Sequence, residues 1–203
     1  NLAAFNASNG AVLPWAPTTN DRVNSIATSE DGSRIVVGGM FTNISGVARR
    51  GIGAIDSDGS VPSWNISNQV WANGPDGSFV DLRVSGDHVY GSGYTYGRNM
   101  GNLEGVFKAH VQTGALVWTE DCHGDTYQIV PVNGYVYKAG HTHFCGGIGG
   151  FPQSDDSITQ WGTFMRHATS LHDAVAGQIR RDQWSYHNLE GYTAPSLTSW
   201  APN

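Results

Sequence analysis

The feature that most constrains this chain is that it repeats itself. Residues 2–15 read as an apolar strand, a polar turn closing on Gly10 and a second short strand ending in Trp15. Residues 52–64 repeat the unit about Asp58-Gly59, residues 106–118 repeat it about Thr113-Gly114, and a degenerate copy over 167–184 centres on Ala176-Gly177. The four glycines are spaced by 49, 55 and 63 residues. A second phase lies between these anchors, where apolar alternation flanks Asp31-Gly32, Gly86-Asp87 and Asn133-Gly134. Alternation on both sides of a two-residue turn signal predicts a hairpin. Two hairpins in a unit of about 50 residues make four short strands, one blade of a β-propeller. An antiparallel sandwich also uses short strands and frequent turns, but it has no reason to keep a fixed period in two phases. Helical periodicity is confined to residues 164–175, where Leu171 and Val175 stand one turn apart and predict a helical turn.

The expected class is therefore all-β: an array of four-stranded antiparallel blades forming a single propeller region over 1–203, with 151–192 an irregular stretch or atypical blade. About three and a half blades are legible, and a ring needs at least about four. The chain starts inside one copy and stops where Trp200-Ala-Pro echoes Trp15-Ala-Pro. It reads as a mature or excised piece, completed by the remaining blades of the same propeller or by a second chain. The faces expected to meet that complement carry Phe5, Ile26, Val36 and Val37 at one end and residues 184–200 at the other.

Composition narrows the function. Charged residues are 14% of the 203, against about 25% in an average domain. The formal charge is −6 and Lys108 and Lys138 are the only lysines, so no basic face exists to neutralise phosphates and no nucleic-acid partner is expected. No stretch of about eighteen apolar residues predicts a membrane span.

Residues 37–42 (Val-Gly-Gly-Met-Phe-Thr), followed by 44–56 and then Gly59 to Trp64, resemble the repeat of secreted bacterial, mainly actinobacterial, β-propeller proteins. Cys122-His-Gly-Asp125, residues 139–146, 148–153 and 194–200 resemble a later part of the same family. Such chains often carry PKD or laminin-G-like modules beside the propeller. The resemblance covers most of the chain and implies the fold and an extracellular or cell-surface location; it implies no particular activity. This chain departs from it at 91–96, Gly-Ser-Gly-Tyr-Thr-Tyr, and in the weak last copy.

Cys122 and Cys145 stand equally far from the Asn133-Gly134 turn on its two sides. Positions so placed face each other across a hairpin, and a disulfide is expected. It would suit an oxidising compartment. His123, Asp125, His141 and His143 crowd the same end. Imidazoles and a carboxylate are ligands for zinc, but in a regular hairpin His141 and His143 share the cysteine face while His123 and Asp125 point to the other. The split favours a structural hydrogen-bond network or a ligand-binding edge, and no metal is expected.

No catalytic motif is assembled. Gly91-Ser92-Gly93 lies at strand-ending glycines rather than in a nucleophile elbow. Residues 146–150, Gly-Gly-Ile-Gly-Gly, lack the spacing of a dinucleotide loop, and no cofactor is expected. Trp15, Trp64 and Trp118 repeat in phase and read as packing between blades. Trp161, Tyr94 and Tyr96 fall outside that phase, and exposed rings beside amides and carboxylates suit a sugar face. Candidate ligand-binding residues are thus His123, Asp125, His141, His143, Trp161, Tyr94 and Tyr96. The leading reading is a non-catalytic extracellular binding or scaffolding module for a glycan or a surface protein. The alternatives are an extracellular carbohydrate-active enzyme with an acidic channel site and a structural component of a surface or virion appendage.

Overall fold

The computed structural model describes residues 1–96, 99–153, 168–181 and 189–201, and in them the chain is a β-propeller-like array of antiparallel sheets. The first sheet joins β1 (Val23–Thr28), β2 (Arg34–Gly39) and β5 (Ile52–Asp56); the small hairpin β3 (Asn43–Ile44) and β4 (Val47–Ala48) lies between β2 and β5. The second is four-stranded: β6 (Gly77–Ser85), β7 (His88–Thr95), β8 (Val106–His110) and β9 (Leu116–Glu120). The third repeats that order with β10 (Thr126–Val132), β11 (Tyr135–Gly140), β12 (Ala168–Gln178) and β13 (Thr193–Ala201). Two short 3-10 turns, Asn65–Asn68 and Gly146–Ile148, are the helical elements among the described residues, and no helix there is long and apolar enough to cross a membrane.

Local sequence explains which blades are complete. The outer hairpin of the second sheet forms in full because residues 114–118 hold no proline. Its counterparts contain Pro14 and Pro62, which have no N–H for a ladder. Residues 60–64 accordingly turn back from Asp56 through Ser60 without becoming a fourth strand, and residues 2–15 make a single bridge, Phe5 to Val12. The inner hairpins also share one device. Each first strand carries a bulge, at Val23/Ser25, Phe79/Asp81 and Thr126/Gln128. The second strand answers with Gly39, Gly93 or Gly140, where a Cβ would lie 2.1, 2.5 or 2.0 Å from the carbonyl oxygen of Arg22, Ser78 or Asp125, in or just before the bulged strand. Only glycine fits there.

Four expectations are corrected. Asp31-Gly32 is not a two-residue turn: the loop runs from Ser29 to Arg34, because the Asp31 carboxylate accepts from both Ser29 and Ser33 and widens it. The predicted helical turn at Leu171 and Val175, and the predicted hairpin turn at Ala176-Gly177, both fall inside β12. That strand pairs irregularly with β13 opposite Pro195, and the reversal comes later, where Ile179 N–H donates to Tyr192. Val36 and Val37 are fully buried: Val36 packs in the seam with the second sheet, and Val37 packs with Phe41, Ile44 and Ile55. Ile26, paired with Val37 from β1, is exposed as expected. Residues 184–188 lie outside the described residues.

Adjacent sheets pack face to face, β6 against β1 and β2, and β10 against β6 and β7. Strand alternation sends Leu82, Phe107 and Ala109 to the first seam and Tyr90, Val106 and Trp118 to the second. Trp15 and Trp64 act as the phase predicts, each reaching the outer turn of the next sheet. The Trp15 indole N–H donates to Asp56 O and the Trp64 indole to Val111 O, both at 3.0 Å. Trp64 lies flat enough on Gly114 that a Cβ there would come within 2.8 Å of the ring. Trp118 is buried but its indole N–H finds no acceptor, because the third sheet continues as β12 where the others turn.

Gly114 and Gly32 have similar left-handed φ, +66° and +70°, but only Gly114 is crowded. Gly32→Ala is expected to cost about 1 kcal/mol and Gly114→Ala about 2 to 4 kcal/mol, the excess arising from overpacking against Trp64. Urea unfolding midpoints measure the difference; equal losses would contradict the steric contact.

Candidate functional site

The bulge at Tyr127 decides the geometry of the open end of the β10–β11 hairpin. Below it the register follows the Asn133-Gly134 turn, Val132 opposite Tyr135 through Gln128 opposite Ala139. Above it the ladder is displaced by one residue, so that His141 N–H donates to Asp125 O and His143 N–H to His123 O. The two pairs that a regular hairpin would send to opposite faces are therefore brought together, and the expected split is corrected. His141 Nε2 lies 3.1 Å from Asp125 Oδ2, and the His123 and His143 rings are 6.3 Å apart. Had the displacement persisted, Cys122 would face Phe144. It is undone before Cys145, and Cys122 and Cys145 form a disulfide with an S–S distance of 2.03 Å.

Asp125 is the centre of an aromatic cup that spans the second seam. Its Oδ2 accepts from Tyr96 at 2.5 Å, from Tyr127 at 3.0 Å and from His141. Tyr96 ends the second sheet's inner hairpin and Tyr127 is the bulge residue of the third. Tyr94 stacks obliquely on Tyr96 with centroids 5.2 Å apart, and Tyr127 lies 5.8 Å from the His141 ring. The carboxylate is almost wholly buried while Tyr96 and Tyr127 are 57% and 50% exposed. Burial by itself would push the Asp125 carboxyl upward, but the hydrogen bonds from His141, Tyr96 and Tyr127 outweigh it and hold the group below the usual carboxylate range. Burial pushes both phenols upward, and next comes Asp125, first through its hydrogen bond at Tyr96 and first through its charge at Tyr127. The cup is an anionic acceptor ringed by neutral, half-exposed hydroxyl-bearing rings.

Behind it lies a buried polar layer. His123 is fully buried, with Nδ1 3.7 Å from Glu104 and Nε2 3.9 Å from Asp121. Glu104 also accepts from Gly124 N–H, and Glu120 accepts from Lys138, Cys122 N–H and Val106 N–H. Burial pushes the Glu120 carboxyl up, opposed by the Lys138 ammonium at 2.7 Å. His143, its imidazole lowered chiefly by burial, bonds Gln153. Glu104, Glu120, Asp121 and His123 are buried and fix the loop between β9 and β10, while His143 and Gln153 are only partly buried. Cys122 and Cys145, spent on each other, offer no thiolate to a metal.

Of the sequence candidates, Asp125, His141, Tyr94 and Tyr96 meet at the cup, and His123 and His143 lie behind it. Trp161 lies outside the described residues. Tyr127, Glu104, Glu120, Asp121 and Lys138 escaped the sequence reading. Lys138 did leave a signal, since it shares the inward face of β11 with Val136, and a lysine on the apolar side of a strand needs an acidic partner.

No family model matches this sequence, and no curated protein matches it. Among solved structures, BamB from Moraxella catarrhalis is 15% identical, with 89% of this chain and 62% of that chain covered at a TM-score of 0.24.

Because the folded pKa of Asp125 is depressed, its contribution to stability is present at neutral pH and is lost as pH falls through the ordinary carboxylate range and below. Asp125→Asn is therefore expected to destabilise the chain above about pH 4, with the gap to the unsubstituted chain closing on further acidification; denaturant midpoints across that range measure it. Cys122→Ser with Cys145→Ser is expected to cost about 3 kcal/mol through the loop the disulfide closes, read as the same midpoint shift on adding reductant to the unsubstituted chain.

Proposed function

We propose that this chain is a non-catalytic, extracellular β-propeller binding module whose ligand is a glycan held at the Asp125 cup. The observation that carries the reading is one ionised, buried carboxylate framed by Tyr94, Tyr96 and Tyr127, rings exposed enough to stack on the apolar face of a sugar. An acid catalyst would need a raised carboxyl pKa and a second carboxylate facing the same space. Asp125 is shifted the other way, and its acidic neighbours Glu104 and Asp121 are buried in the layer behind. The disulfide suits an oxidising compartment and so supports export.

The same reading treats 1–203 as one propeller region whose exposed sheet faces are completed by further blades or by a second chain. One face is a groove of about 320 Å³ lined by Ala4, Leu13, Trp15, Ile26 and Ile35; the other carries Val130, Val132, Tyr135 and Tyr137, all partly exposed. Apolar faces of this kind are normally covered.

Screening the chain against immobilised polysaccharides tests the glycan assignment. Loss of the Asp125 acceptor or of a stacking ring, in Asp125→Asn, Tyr96→Ala or Tyr127→Ala, should weaken retention about ten-fold or more, as expected for a charge-assisted bond of about 1.5 to 3 kcal/mol. Retention that survives all three substitutions, or binding only to a surface protein, would overturn it. Light scattering on Ile26→Lys reads the second element: a smaller assembly is expected, and an unchanged mass counts against face-to-face completion.

A further inference from the structure

At the opposite end of β7 from the cup, three metal-ligating side chains converge. His88 opens β7 and His110 closes β8, and the two are directly paired across the ladder. Their rings lie 4.5 Å apart, tilted by 34°. Asp87, in the Gly86-Asp87 turn, places Oδ1 2.5 Å from His88 Nδ1 and Oδ2 3.7 Å from His110 Nδ1. The turn is held over the pair because Val111 N–H donates to the Asp87 carbonyl at 2.9 Å. One donor atom from each of the three residues lies within 4.8 Å of the others.

We propose that Asp87, His88 and His110 form a binding site for one transition-metal dication of the zinc class. Bonds of about 2.0 to 2.2 Å place two ligand atoms on a shared metal no more than about 4.4 Å apart. The side chains of Asp87 and His110, 74% and 46% exposed, are free to rotate through the small remaining distance. Two imidazoles with a single carboxylate select zinc, nickel or copper over calcium and magnesium, which take oxygen ligands. Lys108 is committed to Asp173 of β12 at 2.9 Å, and Asp173 also accepts from Tyr90. The site therefore offers one carboxylate and two imidazoles, with no lysine left over to compete, in a chain of formal charge −6. Three protein ligands leave a coordination position to water or to a group from a bound partner.

The site is independent of the glycan reading, and its test does not use the cup. Titrating the EDTA-treated chain with Zn²⁺ by calorimetry should show one equivalent bound, and Ca²⁺ should show none. Removing an outer partner of a metal ligand costs about 10- to 100-fold in affinity, so His110→Gln and Asp87→Asn, which remove ligands themselves, should each weaken Zn²⁺ at least about ten-fold. His172→Gln, an exposed histidine elsewhere on the chain, should change nothing. Thermal midpoints in EDTA show whether the variants are folded. If one is not, imidazole nitrogen resonances of the unsubstituted chain decide: perturbation of His88 and His110 together at one equivalent sustains the site. Absence of Zn²⁺ binding, perturbation confined to other histidines, or binding unchanged in Asp87→Asn and His110→Gln overturns it.

Discussion

Everything in this chain rests on seams between sheets, because a twisted four-stranded sheet with two apolar faces has no stable existence alone. Its strands send Leu82 and Phe107 one way and Tyr90 and Trp118 the other, so each sheet needs two neighbours. The tryptophans at the ends of the outer segments set the spacing of those neighbours. Burial of the indole drives the contact, and its N–H fixes the contact at one backbone carbonyl, which a purely apolar side chain would leave free to slide. Gly114 belongs to the same interaction, since the ring approaches too closely for a Cβ.

Much of this was legible because it is written in local chemistry. Alternation flanking Gly86-Asp87 and Asn133-Gly134 located two inner hairpins, and the phase of Trp15 and Trp64 placed them between sheets. What the sequence hid lies in backbone pairing. The mark a bulge leaves is one glycine on the partner strand, Gly140 here, and among 27 glycines with other uses it did not single out the displacement at Tyr127, although that displacement moves Asp125 and His141 onto each other. Gly177 misled in the opposite sense. It occupies the phase of a turn, but the turn is replaced by irregular pairing opposite Pro195 that only the distant strand β13 determines.

The candidate site shows the same division. Asp125, His141, Tyr94 and Tyr96 were recognisable as side chains fit for a polar ligand, but their convergence requires two sheets and a bulge. The buried layer of Glu104, Glu120, Asp121 and Lys138 was missed because acidic residues near a sheet end normally read as solvated. Glu120 and Glu104 accept from the Cys122 and Gly124 N–H groups of the loop between β9 and β10, Lys138 donates to Glu120, and that rigidity is what holds Asp125 at the bottom of the cup.

The unpartnered indole of Trp118 has a bearing on how the molecule opens. The second seam lacks the tie that fixes the first and is held instead by polar contacts, Lys108 and Tyr90 on Asp173, Lys138 on Glu120, Tyr96 on Asp125 and the Ile129 N–H on Asp81. Opening between the second and third sheets must therefore break ionic and hydrogen-bonded contacts rather than an indole tie. The Asp125 cup takes residues from both sides of that boundary. A ligand seated there would bind only the closed form and so would add its own binding free energy to that seam, turning occupancy into cohesion between its two sides.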